Sequence, residues 1–195
     1  METKSSIRKR ILQLRNALTE EEIKEKSRKI CEAVLDSVSV RQAENILCYA
    51  SYKSETATDI LIQTLLERGK NVYLPRVSEN EMDFFRIRDW NDLSCGFKNI
   101  PEPGMHCQEK CDKNTVMIMP GCAFCENGSR IGYGKGYYDR YLTRNFCEER
   151  IALCFEMQIV PAFSADIHDI PVTKIYTEKR VIHIYASSKK QTYLK

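Results

Sequence analysis

The residues of this sequence best suited to chemistry lie in one stretch, residues 120–141, which reads PGCAFCENGSRIGYGKGYYDRY. Four glycines in it allow backbone conformations that other residues avoid, so neighbouring N–H groups can converge on one point. They are Gly128, Gly132, Gly134 and Gly136. N–H groups that converge at the start of a helix bind anions. The stretch therefore predicts a glycine-rich loop that binds an anion such as phosphate.

Charged side chains accompany these glycines. Arg130 and Lys135 supply two positive charges, and Asp139 supplies the hard carboxylate oxygen that suits Mg²⁺. The spacing is neither that of a Walker A loop nor that of a dinucleotide fingerprint, because Gly-Tyr follows Lys135 and the glycines are spaced G-x-G-x-G. Glycine content alone leaves a tight surface turn open as an alternative, and the charged cluster argues against that alternative.

A strand and a helix must position this loop. Residues 115–119 form an apolar run typical of a buried strand, and Tyr137 and Tyr141 share one face of the helical pattern that follows. Further short strands are predicted at residues 150–155 and 180–185. The order of strand, loop and helix predicts an α/β protein.

A β-α-β unit is predicted upstream of the loop. Residues 46–51 and 72–74 are the expected strands, and a helix over residues 57–68 connects them and ends at Gly69. The two strands should be parallel. Residues 81–89 alternate in part and predict an edge strand or hairpin, in which Met82 and Phe84 either line a pocket or fill the core. The apolar residues expected on the inner face of the connecting helix are Ile60, Leu61, Leu65 and Leu66.

Two amphipathic helices are predicted at the N-terminus. The first covers residues 4–18, and its expected apolar stripe is Ile7, Ile11, Leu14 and Leu18. The second follows a capping box formed by Thr19 and Glu22. Its expected buried stripe is Ile23, Ile30, Val34 and Val38.

Composition limits the class of protein. With 195 residues and 43% hydrophobic content, the chain can bury one substantial core, so residues 1–195 are expected to form a single domain. The expected architecture is a three-layer α/β/α domain with a mainly parallel central sheet, against which the two N-terminal helices pack. The net charge of +3 comes from a basic N-terminal segment, which suggests an anionic ligand or a solvated helix face and only weakly suggests nucleic acid. Without a secretory signal or a membrane-length apolar run, a cytoplasmic protein without membrane or nucleic-acid partners is expected.

Nine cysteines leave a metal or redox role to be weighed. His106, Cys107 and Cys111 lie in one polar loop, and Cys122 and Cys125 form a single C-x-x-C. Structural zinc sites usually show paired ligands with short regular spacing, and no matching second pair is present. The odd number of cysteines favours reduced thiols, with Cys122 packing as a small apolar residue.

The signature stretch resembles that of the 5-formyltetrahydrofolate cyclo-ligase family, whose loop has the form P-G-hydrophobic-x-F-D-x-x-G-x-R-hydrophobic-G-x-G-x-G-Y-Y-D. Cys125 departs from this pattern, since the family usually has Asp there. Lys4 and Arg8 are similar to a K-x-x-x-R element of the family, Arg76 matches a Pro-Arg pair, and Asp169 matches an H-D-hydrophobic-P element. From the residues alone these remain open to other interpretations, such as surface charges, an ordinary ion pair and a turn aspartate.

The resemblance implies roles for particular residues. Glu55 is expected to accept hydrogen bonds from the donor edge of a pterin, or else it is a plain loop acid. The residues expected to bind ATP are Lys4, Ser5, Ser6, Ile7, Arg8, Arg130, Ile131, Gly132, Tyr133, Gly134, Lys135, Gly136, Tyr137 and Tyr138. Those expected to bind substrate are Ala50, Glu55, Tyr133, Gly134, Lys135, Gly136 and Tyr137. The expected catalytic residues are Lys135, Arg130 and Tyr137, and the expected Mg²⁺ ligands are Asp139 and Asp169.

The resemblance also implies an activity, the ATP- and Mg²⁺-dependent cyclisation of 5-formyltetrahydrofolate to 5,10-methenyltetrahydrofolate with release of ADP and phosphate. A monomer that acts on these small molecules is expected. His168 and His183 show nothing that marks them as catalytic. The alternative is a non-catalytic folate- or nucleotide-binding protein on the same fold.

Overall fold

Helices and strands alternate along most of the chain. A computed structural model describes residues 2–79, 81–108, 115–145, 147–164 and 166–185. The helices are α1 (Lys4–Asn16), α2 (Glu20–Leu35), α3 (Val38–Gln42), α4 (Asp59–Glu67) and α5 (Tyr137–Arg144). The strands are β1 (Asn45–Leu47), β2 (Asn71–Ser78), β3 (Glu81–Ile87), β4 (Leu93–Cys95), β5 (Pro101–Pro103), β6 (Thr115–Met119), β7 (Ala123–Phe124), β8 (Arg130–Ile131), β9 (Glu149–Leu153), β10 (Lys174–Tyr176) and β11 (Val181–His183).

Seven of these strands form one central sheet in the order β11-β10-β9-β6-β1-β2-β3. The five inner strands pair in parallel, and β3 and β11 pair antiparallel at the two edges. This arrangement confirms the predicted α/β fold with a mainly parallel sheet, and it confirms the parallel pair on either side of α4 and the edge hairpin of β2 and β3. Two smaller pairs, β4 with β5 and β7 with β8, lie outside the central sheet.

Side chains of the central strands alternate between the two faces of the sheet. Ile46 and Ile118 belong to one apolar cluster, and the neighbouring Leu47, Met117 and Met119 belong to the other, as the two-residue period of a strand requires. Helices α2 and α4 cover the first face, and α5 packs into the second cluster. The core is therefore built in layers on both sides of the sheet.

Helix α1 does not lie against this sheet, contrary to expectation. Ile7 and Ile11 form a third apolar cluster with Ala123 of β7, Ile131 of β8 and Cys125 of the connecting turn. The reason is that residues 121–131 fold into a small hairpin whose apolar side chains need a cover. The helix is thereby fixed to the start of the glycine-rich loop.

Three predicted positions in the apolar stripes are wrong, because their side chains are exposed. Leu14 is 47% exposed, and Val38 and Ile60 are each 58% exposed. Helix α2 ends at Leu35, so Val38 begins a new helix and cannot continue the stripe of the old one. The inner face of α4 is formed by Leu61, Ile62 and Leu65, which turns Ile60 toward the opposite side of a helix with 3.6 residues per turn.

Two of the short strands that the sequence did not predict are β5 and β10. Residues 101–103 pair with β4 as strand β5. Strand β10 pairs with β9 and β11 and completes the sheet. Each has only three residues, which is too short to show a period. None of the helices among the described residues is long and apolar enough to cross a membrane.

Candidate active site

The glycine-rich loop lies between β8 and α5, near the C-terminal ends of the inner parallel strands of the central sheet. Gly134 and Gly136 have positive φ angles of 93° and 64°, a region that favours glycine over other residues. Gly136 is the N-cap of α5 and makes no side-chain capping bond. The first N–H groups of α5 therefore have no side-chain cap from Gly136, and their binding of an anion stays a prediction.

A first cavity of about 280 Å³ opens beside this loop, and we call it the charged cavity. Helix α1, the loop, the start of α5 and the segment around Asp169 contribute to it. Its lining residues are Lys4, Arg8, Pro120, Arg130, Ile131, Gly132, Tyr133, Gly134, Lys135, Gly136, Tyr137, Tyr138, Asp139, Asp166 and Asp169. Four cations and three carboxylates therefore meet at the end of one helix.

Lys4 links α1 to the acidic side of the charged cavity. Its Nζ lies 2.6 Å from Asp166 Oδ2 and 2.5 Å from Asp169 Oδ2. Partial burial opposes the charged form of Lys4, but the two carboxylates outweigh it and raise the pKa of Lys4. Burial likewise opposes ionisation of Asp169, and the bond from Lys4 outweighs it and lowers the pKa of Asp169. Both groups are ionised at neutral pH.

Arg130 and Asp139 form a second ion pair in the charged cavity. Arg130 Nη2 donates to Asp139 Oδ1 at 2.6 Å, and the backbone N–H of Ile170 donates to the same oxygen at 3.1 Å. The side chain of Arg130 is almost fully buried, and its Nε is a buried donor without a partner among the described residues. Buried donors are usually satisfied, so the site has room for a further acceptor.

Two more cations face the loop. Arg8 Nε donates to the carbonyl of Gly132 at 2.8 Å, which fixes the loop to α1. Lys135 is exposed, and its ammonium group makes no hydrogen bond or ion pair with any described residue. Lys135 is therefore the cation of this site that is free to meet an incoming anion.

A second cavity of about 180 Å³ lies on the other side of the loop, and we call it the aromatic cavity. Its lining residues are Tyr49, Ala50, Tyr52, Glu55, Pro75, Val77, Met82, Lys98, Ile100, Glu102, Pro120, Tyr133, Lys135, Tyr137 and Tyr138. The two cavities share Pro120, Tyr133, Lys135, Tyr137 and Tyr138. A ligand in one cavity therefore meets a ligand in the other at Lys135 and the tyrosines.

Two buried acids, Glu55 and Glu102, line the aromatic cavity, and Glu55 is the one that contacts the glycine-rich loop through Tyr133. Tyr133 donates its hydroxyl to Glu55 Oε1 at 2.6 Å, and the backbone N–H of Tyr52 donates to Oε2 at 2.9 Å. Burial raises the pKa of Glu55, while Tyr133, the Tyr52 N–H and the charge of Arg15 lower it. A buried acid held in this way can accept hydrogen bonds from a flat, donor-rich ring.

Asp139 and Asp169 are the residues of the charged cavity that could hold a metal ion. One oxygen of each carboxylate accepts from a cation and a backbone N–H, and the other oxygen accepts no bond from the described residues. In proteins Mg²⁺ is usually held by one or two carboxylates together with phosphate oxygens and water. The two acids fit that pattern.

Not every expected site residue lies at a cavity. Ser5, Ser6 and Ile7 do not line the charged cavity, and Ile7 packs into the third apolar cluster. Arg76 lines neither cavity; it donates to the carbonyl of Gly104 at 2.8 Å and stacks on a phenylalanine of the edge strand. Ala50 and Glu55 do line the aromatic cavity, together with Tyr133, Lys135 and Tyr137. Gly134 and Gly136, which were also expected to bind substrate, line only the charged cavity.

Cys125, the departure from the family pattern, also lies outside both cavities. Its side chain is buried in the third apolar cluster, and its backbone closes the hairpin turn by bonds to Ser129 and Gly128. The eight cysteines among the described residues form no disulfide. Burial raises the pKa of the Cys122 thiol to about 11, so this group is not a reactive thiolate at neutral pH.

Three possible metal ligands do come together elsewhere. The ligand atoms of Asp92, His106 and Cys107 lie within 4.8 Å of one another. His106 Nε2 is paired with Asp92 Oδ1 at 2.9 Å, and the Cys107 thiol lies against the carbonyl of Asp92. These groups satisfy each other without an ion. Cys111 lies outside the described residues.

Sequence reasoning missed several residues of the site. Tyr49, Lys98 and Glu102 line the aromatic cavity but lie in separate segments that no common motif links. Asp166 adds a carboxylate three residues before Asp169. Arg15 is buried behind the loop and was not predicted as a site residue. The helical spacing of Lys4, Arg8 and Arg15 could have revealed a shared face.

Comparisons with known proteins agree with this geometry. A model of the 5-formyltetrahydrofolate cyclo-ligase family matches residues 1–178. The Haemophilus influenzae 5-formyltetrahydrofolate cyclo-ligase is 30% identical over 179 residues, with 88% of this chain and 96% of that protein covered. The Mus musculus cyclo-ligase is 29% identical over 189 residues, with coverages of 90% and 93%. The solved structure of Aquifex aeolicus 5,10-methenyltetrahydrofolate synthetase superimposes with a TM-score of 0.83, 28% identity, and coverage of 98% of this chain and 99% of that one.

Proposed function

This chain belongs to the 5-formyltetrahydrofolate cyclo-ligase family, and we propose that it converts 5-formyltetrahydrofolate and ATP to 5,10-methenyltetrahydrofolate, ADP and phosphate. The observation that supports this most directly is the pair of cavities that meet at Lys135, Tyr133 and Tyr137. A reaction between two bound substrates needs both reacting groups to be held close together in a fixed orientation.

The charged cavity is the proposed site of the ATP phosphates. Phosphoryl transfer depends on positioning and on positive charge around the transferred group rather than on covalent chemistry by the protein. Lys135 and Arg8 supply that charge, with Arg130 behind them, and the uncapped N–H groups of α5 bind phosphate oxygens. Lys135 is the residue best placed to contact the γ-phosphoryl group, because it lines both cavities and has no other partner in the described structure.

Mg²⁺ fits the carboxylates of Asp139 and Asp169, where it would neutralise phosphate charge and orient the oxygens that it contacts. Lys4 and Arg130 already neutralise these acids from the protein side. The protein therefore provides both the acids for the ion and cations that hold those acids in place.

The aromatic cavity is the proposed site of the folate. Glu55 accepts hydrogen bonds from the donor edge of the pterin ring, and the tyrosines supply flat apolar surfaces for it. Burial and the nearby charge of Glu55 raise the pKa of Tyr133, which therefore stays protonated and donates to Glu55. Tyr137 and Tyr138 border the point where the cavities join, where they exclude water from an activated formyl group.

The proposed reaction has two steps. The formyl oxygen on N5 attacks the γ-phosphorus of ATP, the bond from phosphorus to the ADP oxygen breaks, and an imidate phosphate forms. N10 then attacks the formyl carbon and loses its proton, and the carbon–oxygen bond breaks as phosphate leaves. The protein holds the two substrates in line and stabilises the charge on the transferred group through Lys135.

The test is to mix the purified protein with 5-formyltetrahydrofolate and Mg-ATP and to follow the near-ultraviolet absorbance of the methenyl product. We expect product only when ATP is present. If both ligands bind without ATP-dependent product, the proposal fails and a non-catalytic folate- or nucleotide-binding protein is left. Cys125→Asp would then show whether the departure from the family pattern is responsible.

A further inference from the structure

Arg15 is a buried charge that the proposed reaction does not use directly. Its side chain, in the last turn of α1, is only 2% exposed. Nε donates to Ser54 Oγ at 3.1 Å, Nη1 donates to the carbonyl of Gly121 at 3.2 Å, and Nη2 donates to the hydroxyl of Tyr133 at 2.6 Å. All three of its acceptors are neutral.

A guanidinium in this position needs a negative charge nearby, because burying an unpaired ion is strongly unfavourable. No carboxylate among the described residues forms an ion pair with Arg15. The nearest compensation runs through Tyr133, which accepts from Arg15 and donates to Glu55 at 2.6 Å. Arg15, Tyr133 and Glu55 therefore form one hydrogen-bonded chain from the interior to the aromatic cavity.

We propose that Arg15 is a positioning residue for folate binding, which acts through the hydroxyl of Tyr133 to fix the Glu55 carboxylate toward the aromatic cavity. This inference rests on the proposed function, because it assigns Glu55 to the folate. Arg15 donates two further hydrogen bonds, to Ser54 and Gly121. These two bonds fix the guanidinium and so set the direction of its hydrogen bond to Tyr133. Tyr133 then has a fixed acceptor role toward Arg15, so its only proton points to Glu55.

Helix α1 also connects the hydrogen bonds of Arg15, Tyr133 and Glu55 to the charged cavity. Lys4, Arg8 and Arg15 are separated by four and seven residues, so they lie on one side of α1. Lys4 binds Asp169, Arg8 binds the Gly132 carbonyl and Arg15 binds Tyr133. One rigid helix thus sets the position of the metal-side acids, the loop and the folate-side acid.

The proposal predicts a particular pH dependence. The positive charge of Arg15 and the proton of Tyr133 favour ionised Glu55 against the effect of burial, so their removal shifts the carboxyl toward its neutral form. A neutral Glu55 accepts hydrogen bonds less well. The titratable or charged groups around Glu55 are Arg15, Tyr49, Cys122, Tyr133 and Tyr138, with Tyr52, Lys98, Glu102, Lys135 and Tyr137 in the same cavity. All but Arg15 stay unchanged in the variant used below.

The experiment compares Arg15→Met with the wild type in steady-state kinetics from about pH 5 to 9. At the acid end of this range we expect the KM for 5-formyltetrahydrofolate to rise about tenfold, the lower end of what a lost hydrogen bond to a charged group costs. This KM should fall back toward the wild-type value as the pH rises. The KM for ATP should change by less than about twofold, since Lys4, Arg8 and Lys135 are intact.

Two further variants separate positioning from general stability. In a Glu55→Gln background, Arg15→Met should add no pH dependence, because the titrating group is gone. Tyr133→Phe leaves the buried Arg15 in place and should reproduce the pH-dependent rise in folate KM even if Arg15→Met folds poorly. Arg10→Met, on the exposed side of α1, is the matched control and should match the wild type.

Two results would overturn the inference. In the first, Arg15→Met and Tyr133→Phe both keep the wild-type pH profile of the folate KM. In the second, kcat and both KM values change together without pH dependence, which is the pattern of a structural defect. Failure of the proposed function looks different, because the wild type itself would then form no product in the presence of ATP.

Discussion

The two cavities beside the glycine-rich loop differ in how their charges are balanced. In the charged cavity, Lys4 and Arg130 form direct ion pairs with carboxylates that are partly open to solvent. In the aromatic cavity, Glu55 has no direct ion pair in the described structure. It accepts hydrogen bonds from the Tyr133 hydroxyl and the Tyr52 backbone N–H, and Arg15 in turn donates to the Tyr133 hydroxyl. The first arrangement suits exchange of partners when phosphate and metal arrive, and the second suits recognition of a fixed, neutral ring.

The difference also gives the two cavities opposite responses to acid. The pKa of Asp169 is lowered from its ordinary value of 3.8, so its contribution to stability is present above that value and is lost as the pH falls through the folded-state pKa. The pKa of Glu55 is raised from 4.5, so the folded state favours its protonated form and stability from this group falls as the pH rises through the folded-state pKa. Ionisation of Glu55 in the folded state therefore has a cost to stability, which is common at functional sites.

The largest effect is expected where the cavities meet. Lys135→Ala should lower kcat by about 10²–10³-fold, the usual loss when one electrostatic donor is removed from a transition state. Both KM values should change little, because the proposed contact of Lys135 strengthens as charge develops on the transferred group. Lys9→Ala, an exposed lysine of α1 outside both cavities, is the control in the same steady-state assay. A loss confined to one KM would assign Lys135 to a single substrate and contradict its shared role.

The next largest effect should distinguish the aromatic cavity. Glu55→Gln replaces a charged acceptor and should raise the KM for 5-formyltetrahydrofolate by about 10- to 100-fold, the range of hydrogen bonds to charged groups. The KM for ATP should stay within about twofold of the wild type. Glu67→Gln, on the exposed side of α4, is the matched control. An equal rise in both KM values would show that Glu55 supports the whole site rather than the folate.

The counterpart of Glu55→Gln in the charged cavity is Lys4→Met. Lys4→Met removes a cation from Asp166 and Asp169 and should raise the KM for Mg-ATP by about threefold to fivefold, with little change in the KM for folate, because a partly exposed ion pair contributes modestly. Steady-state kinetics at two salt concentrations would check this, since the effect should shrink at high salt. A change in the folate KM alone would reverse the assignment of the cavities.

The smallest effect concerns stability. The free energy of unfolding of the wild type relative to Glu55→Gln should fall as the pH rises above 4.5. Relative to Asp169→Asn it should instead rise as the pH rises toward 3.8 and be constant above it. Denaturant unfolding over a series of pH values measures both differences. Slopes of the same sign would show that the two carboxyls have the same kind of environment.

The charged cavity could be predicted largely from the sequence because most of its residues are neighbours along the chain. The loop from Arg130 to Tyr138 and the acid Asp139 form one segment, so their types and spacing were visible together. Lys4, Arg8 and Asp169 were predicted as site residues only because of the resemblance to a family. All three line the charged cavity, whereas their neighbours Ser5 and Ser6 do not.

The aromatic cavity could be predicted only in part because it is assembled from distant segments. Tyr49, Lys98 and Glu102 have no local pattern that marks them, and the two short strands around Glu102 are too brief to show a period. Arg15 was missed for a different reason. A charged residue on an amphipathic helix is usually solvent-exposed, and only the position of the hairpin shows that this one is covered.

The central claim is that the formyl oxygen and the γ-phosphoryl group meet at Lys135, between the two cavities. The most direct test uses 5-formyltetrahydrofolate labelled with ¹⁸O in the formyl group, with ATP and Mg²⁺ and unlabelled water. Mass spectrometry of the released phosphate should then show one ¹⁸O atom for each methenyl product formed. Product that forms with unlabelled phosphate would mean that the oxygen leaves by another route, and it would contradict the account.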